Sequence, residues 1–266
     1  MITGIDHVVI GVRDFDAGVA AYQRLLDRAP AHVDERDGVA TALIATANAA
    51  VEIISPRGAT VMAERLDAAI TERGEGLLSV AFSVSDIERM HRRLDRVGLA
   101  PDDIGAVEAG ALRWRRFRTD TQAAHGVRMF FLERAAPLGD SGDSGVLALD
   151  HIVVQTQDMD SAAALFGARL GLDMRLDRRI GDRRLMFFRC GDLVVEIAQA
   201  GEPRHRLWGL SWRVGDAARE QARLSGLGLD VSEVRAGLKP GTHVFSIRDK
   251  TCGVPTLMIE TRAKRD

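Results

Sequence analysis

From Ile5 the chain reads "IDHVVIGVRDFDAGVAAYQRLLD": an apolar residue, Asp6, His7, a β-branched run, and a polar break at Asp14-Phe15-Asp16. Val19, Tyr22, Leu25 and Leu26 then fall on one helical face. From Leu149 the same order returns in "LDHIVVQTQDMDSAAALFGARLGL", with Ala162, Leu165, Phe166 and Leu170 as the helical stripe. His151 holds the place of His7, and at the same offset Glu52 in "AAVEIISP" falls on Glu196 in "LVVEIAQA". A second pair follows, "LLSVAFSVSDIERMHRRLDRVGL" from Leu77 and "LWGLSWRVGDAAREQARLSGLGL" from Leu207. Each half then closes on a similar strand, "GVRMFFLER" and "GVPTLMIETR", with Glu133 and Glu260 at equivalent positions.

An internal repeat decides the fold before any single residue does. The pattern predicts four units, each a strand, a helix and about three further strands. "TVMAERLDAAITERG" from Thr60 predicts an extra helix bridging the first two units, and "GEPRHR" is the shorter bridge in the second half. The Gly-, Ser-, Asp- and Pro-rich stretch over 135–145 marks a linker between domains 1–135 and 147–266. Strand alternation puts Leu78, Val80, Phe82 and Val84, and likewise Leu210, Trp212 and Val214, under helices. The opposite face, with Ser79, Ala81 and Ser83 or Gly209, Ser211 and Arg213, is left for water or ligand.

Composition narrows the function classes. The 266 residues are 46% hydrophobic and 28% charged with a net charge of -2, an ordinary globular balance with no basic field for nucleic acid or an anionic membrane. Neither a signal-like start nor a long apolar run is present, and the two cysteines form no framework, so a cytoplasmic location is expected. The arginine-rich "RWRRFR" (113–118) reads as a solvated or anion-facing strand edge. P-loop, G-x-G-x-x-G, G-x-S-x-G and HExxH patterns are absent.

The doubled "DH" strand and helix, with "VEIIS", "VEIAQ", "MFFLE" and "LMIE" closing the units, resembles the vicinal oxygen chelate superfamily. That superfamily includes glyoxalase I, methylmalonyl-CoA epimerase, extradiol dioxygenases and bleomycin-resistance proteins. A particular similarity is to proteins described only as glyoxalase-like domains. The resemblance covers nearly the whole chain. It implies an α+β fold in which four βαβββ modules form two glyoxalase-like domains with cup-shaped sheets.

The family's metal ligands carry over to His7, Glu52, Ser79 and Glu133 in the first half. In the second they carry over to His151, Glu196, Gly209 and Glu260. The third position is a histidine in the family and in neither half here, which disfavours ring-cleaving dioxygenase chemistry. One imidazole and two carboxylates per half suit a divalent ion, Zn, Mn, Mg, Co or Fe. Glu196 and Glu260 are then the expected proton-moving carboxylates.

The second half is the richer, with Gln155, Ser211, Arg213 and His243 as expected substrate contacts. Glycine at 209 predicts an empty slot beside the metal. Arg213 is the alternative partner for Glu196 or Glu260. Two functions remain open, a metal-dependent enzyme of glyoxalase or epimerase type and a non-catalytic small-molecule binding or sequestering protein of the bleomycin-resistance kind. The expected partner is a small oxygenated molecule, with a homodimer as a compatible assembly.

Overall fold

A computed structural model of the chain describes residues 1–136, 138 and 144–261. The linker expected over 135–145 lies largely outside the described residues. The first module runs β1 (Ile2–Gly11), α1 (Phe15–Leu26), β2 (His32–Arg36), β3 (Val39–Ala45) and β4 (Ala50–Pro56). Helix α2 (Val61–Arg73) leads to β5 (Gly76–Val84), α3 (Ile87–Arg96), β6 (Gly105–Ala109), β7 (Leu112–Arg118) and β8 (Met129–Arg134). The third module has β9 (Val146–Thr156), α4 (Met159–Ala163) with a π-helical continuation (Ala164–Arg169), β10 (Asp173–Ile180), β11 (Arg183–Cys190) and β12 (Leu193–Gln199). The fourth has β13 (Arg206–Val214), α5 (Ala217–Gly226), β14 (Arg235–Ala236), β15 (Thr242–Ile247) and β16 (Thr256–Thr261).

One sequence device starts each module's helix. Asp14, Asp86, Asp158 and Asp216 are the N-caps, and their side chains accept from the backbone N–H of Ala17, Arg89, Ser161 and Arg219. Such a cap satisfies one of the donors a helix start leaves open and contributes about 1 kcal/mol. The strands form two eight-stranded sheets, in the orders β2-β3-β4-β1-β5-β8-β7-β6 and β10-β11-β12-β9-β13-β16-β15-β14. The last three strands of each module pair antiparallel, and β12 with β9, β5 with β8 and β13 with β16 run parallel.

Packing groups the chain into two compact units that cut across the repeat. One comprises Met1–Val8, Leu78–Pro137 and His151–Trp208; the other comprises Val9–Leu77, Leu138–Asp150 and Gly209–Asp266. In the first unit, Arg93 of α3 donates to the carbonyls of Ala168 and Arg169, and Arg169 donates back to those of Val97, Gly98 and Ala123. In the second, Arg223 of α5 donates to the carbonyls of Arg24 and Leu25 at the end of α1. A guanidinium at a helix C-terminus satisfies orphan carbonyls and complements the helix dipole. The apolar stripes supply the burial. Tyr22, Leu25, Leu26, Trp212 and Phe245 are buried in the second unit, and Phe82, Phe117, Phe131, Phe166 and Phe188 in the first.

Candidate functional site

Strand β9 runs beside β12 with His151 opposite Val194 and Val153 opposite Glu196. Parity therefore places His151, Val153, Gln155, Val194 and Glu196 on one face, while Ile152, Val154, Val195 and Ile197 are buried on the other. His151 Nε2 lies 3.4 Å from Glu196 Oε2, and both side chains remain partly exposed. Two of the ligand positions that the resemblance implied are thus brought together.

Asp6, quoted in the motif but given no role from sequence, organises the corresponding strand. Its carboxylate accepts from His7 Nδ1 at 2.6 Å and from Arg134 twice, at 2.5 and 2.7 Å. Burial opposes the charge, but the hydrogen bonds from His7 and Arg134 outweigh it and hold Asp6 at a pKa of about 2. His7 is therefore a buried histidine tied through Nδ1. Glu52 lies opposite Leu43 on β4 and is half-buried.

The closing carboxylates lie elsewhere than the resemblance implied. Trp212 is opposite Met258 in the parallel β13–β16 register, and Glu260 shares the face of Met258, packed under α5. Its Oε2 accepts from Ala217 N at 3.0 Å, so it closes the start of α5. Glu133 lies opposite Arg115, 3.5 Å from its Nη1, and the same arginine is held by Glu88 in the first turn of α3. His243, opposite Glu260, is on the α5 side as well, and its Nδ1 is buried without a hydrogen-bond partner.

The slot expected at Gly209 is filled, because a Cβ there would stand 2.8 Å from the carbonyl oxygen of Pro255. An imidazole is excluded by the approach of the Pro255 carbonyl just before β16. Arg213, expected beside Glu196 or Glu260, donates through Nε to Asp150 at 2.9 Å. Ser211 is fully buried and its Oγ has no partner.

Sequence reasoning also passed over a histidine pair. His205 is buried, donates or accepts at Thr156 Oγ1 at 3.0 Å, and stacks with His125 at a ring separation of 5.1 Å. Ser161 Oγ lies 3.1 Å from His125 Nδ1. Burial, and then the neighbouring His125, push His205 down to a pKa of about 4. The residues are far apart in sequence, so no spacing could have announced them.

Residues 5–145 match the glyoxalase-like domain family, and residues 148–250 match the glyoxalase/bleomycin resistance protein/dioxygenase superfamily. The first match spans over half the chain, and the chain belongs to the glyoxalase-like domain family, within the vicinal oxygen chelate superfamily. No curated protein matches it.

Several solved structures share the fold. A triple mutant of 4-hydroxymandelate synthase from Streptomyces coelicolor superposes with a TM-score of 0.74 at 14% identity, covering 100% of this chain and 94% of the other. A Mn(II)-bound glyoxalase from Novosphingobium aromaticivorans gives 0.72 at 17% identity, covering 97% and 82%. BphC, a halotolerant catechol dioxygenase, gives 0.68 at 13%, covering 100% and 89%. At these identities the likeness establishes the fold. No helix among the described residues is long and apolar enough to cross a membrane.

Proposed function

We propose that this protein binds a small oxygenated metabolite through the His151–Glu196 face without a metal ion. Its role is then closer to the binding and sequestering members of the superfamily than to its metal-dependent lyases and isomerases. The observation that carries this reading is the position of Glu260, whose carboxylate is engaged by the first N–H of α5.

A divalent ion wants three or more convergent oxygen or nitrogen donors. Among the described residues no group of three His, Cys, Asp or Glu side chains is arranged to hold one. Serine and glycine stand at the third ligand position, and Glu133 is committed to Arg115. The donor set therefore does not fit the family's metal, and no step is routed through one.

What remains is a hydrogen-bonding surface. His151, Glu196 and Gln155 offer a donor or acceptor imidazole, a carboxylate and an amide, which suits hydroxyl and carbonyl oxygens on a ligand. Calorimetric titration with Mn²⁺ and Zn²⁺ of protein prepared without a histidine tag is expected to give no stoichiometric heat. Tight uptake of either ion by the wild type, lost in Glu196→Gln, would overturn the reading in favour of a metal enzyme.

A further inference from the structure

Strands β7 and β8 pair antiparallel with Trp114 opposite Arg134, Arg116 opposite Leu132 and Arg118 opposite Phe130. Side chains two apart share a face, so these six form one grid, while Arg115, Phe117, Phe131 and Glu133 face α3. The grid holds three arginines and no carboxylate of its own. A fourth cation joins from Arg128, whose guanidinium lies 5.4 Å from the Phe130 ring centre; that of Arg116 lies 5.3 Å from the same ring.

The cations are not equally engaged. Arg134 spends two nitrogens on Asp6, and Arg118 Nε is 3.7 Å from Asp102. Arg116 is exposed and has no carboxylate partner among the described residues. Two donors on the grid are buried and unpartnered, Trp114 Nε1 and Arg134 Nη1. They belong to register partners, with the Arg134 guanidinium 4.9 Å over the Trp114 ring, and the Arg134 side chain is only 9% exposed. A buried donor left unmade costs about 1–3 kcal/mol, so two side by side on a cationic face call for an acceptor.

We propose that this face is a binding site for a small organic oxyanion, a carboxylate or phosphate ester whose apolar body lies against Phe130. The anion's oxygens accept from Trp114 Nε1 and Arg134 Nη1, and Arg116 supplies the unneutralised charge. Asp6 holds Nε and Nη2 of Arg134, which leaves Nη1 as the buried nitrogen without a partner. The site lies in the first sheet and the His151–Glu196 pair in the second, and the proposal does not depend on the function proposed for that pair.

The full chain would be titrated calorimetrically with benzoate, phenyl phosphate and the uncharged isostere benzamide. At least one anion is expected to bind 1:1 and at least about tenfold more tightly than benzamide, a charge-assisted hydrogen bond being about twice as strong as a neutral one. The tighter of the two anions identifies the headgroup. Trp114→Phe, which keeps the ring and removes the N–H, should weaken binding about fivefold, as expected for one hydrogen bond. Arg116→Gln, at an exposed position, should weaken it about tenfold or more. Glu196→Gln should leave it unchanged. Anions that bind no better than benzamide, or binding that both grid variants retain in full, would overturn the proposal. So would loss of binding in Glu196→Gln.

Discussion

Asp6 and Asp150 occupy the same place in the repeat, each beside its histidine, and each holds an arginine. The arginines come from different strands. Arg134 ends β8, where the second half has Thr261, and Arg213 is on β13, where the first half has Ser83. The first pair is a two-bond fork with both side chains under 10% exposed; in the second, Arg213 Nε donates to Asp150 at 2.9 Å between side chains 32% and 24% exposed.

The change of strand alters the surface. Drawing Arg134 inward leaves a spare buried donor next to Trp114 and builds the arginine grid of β7–β8. At the equivalent positions of β15–β16 stand Thr242, Val244, Ser246, Leu257 and Ile259, with no charge among them. The polar inventory of the sequence pointed to the second half as the richer site, whereas the cationic and aromatic surface lies in the first.

Removing the aspartate separates the two pairs most sharply. Asp6→Ala leaves the buried Arg134 without its carboxylate and is expected to cost about 3–5 kcal/mol in urea unfolding. Asp150→Ala, at a part-exposed pair, should cost under about 1 kcal/mol. Equal losses in the two variants would mean that the pairs are equivalent despite their different burial.

Gly209 comes next. A methyl group 2.8 Å from the Pro255 oxygen must push β13 and β16 apart, so Gly209→Ala should lose about 1–3 kcal/mol. The corresponding residue of the first half, Ser79, already carries a Cβ, and Ser79→Ala is expected to be much milder. A Gly209→His variant that unfolds like the wild type would restore the empty slot that the sequence predicted.

Much of this fold was legible because its signals are periodic and local. The helical stripe of Tyr22, Leu25 and Leu26 and the alternation of Leu210, Trp212 and Val214 each declare an element within a few residues. The nearness of His151 and Glu196 was implied by the resemblance, which put both in one set of ligand positions. The orientation of Glu260 was not legible, since it depends on which residue of β16 meets Trp212 across the sheet. Nor was the grouping of modules across the halves, which rests on arginines reaching carbonyls far away in sequence, such as Arg169 to Val97. Carrying a ligand position over from a family preserves its place along a strand, but it does not guarantee the face.

The remaining effect is in acid, and it tests whether Asp6 is the charged partner that the comparison requires. Its folded pKa of about 2 lies below the unfolded value of 3.8. A depressed carboxyl stabilises the fold fully above the unfolded value, and the contribution is lost as pH falls through the folded one. The difference corresponds to about 2 kcal/mol, to be lost between about pH 4 and pH 2. Other carboxylates contribute to the same limb, so the informative quantity is the difference between wild type and Asp6→Asn. The asparagine variant should begin less stable at neutral pH and then lose less on acidification, the two curves converging by about pH 2. Parallel curves for wild type and Asp6→Asn would show that Asp6 is not held below its ordinary pKa, and would remove the electrostatic distinction between the two halves.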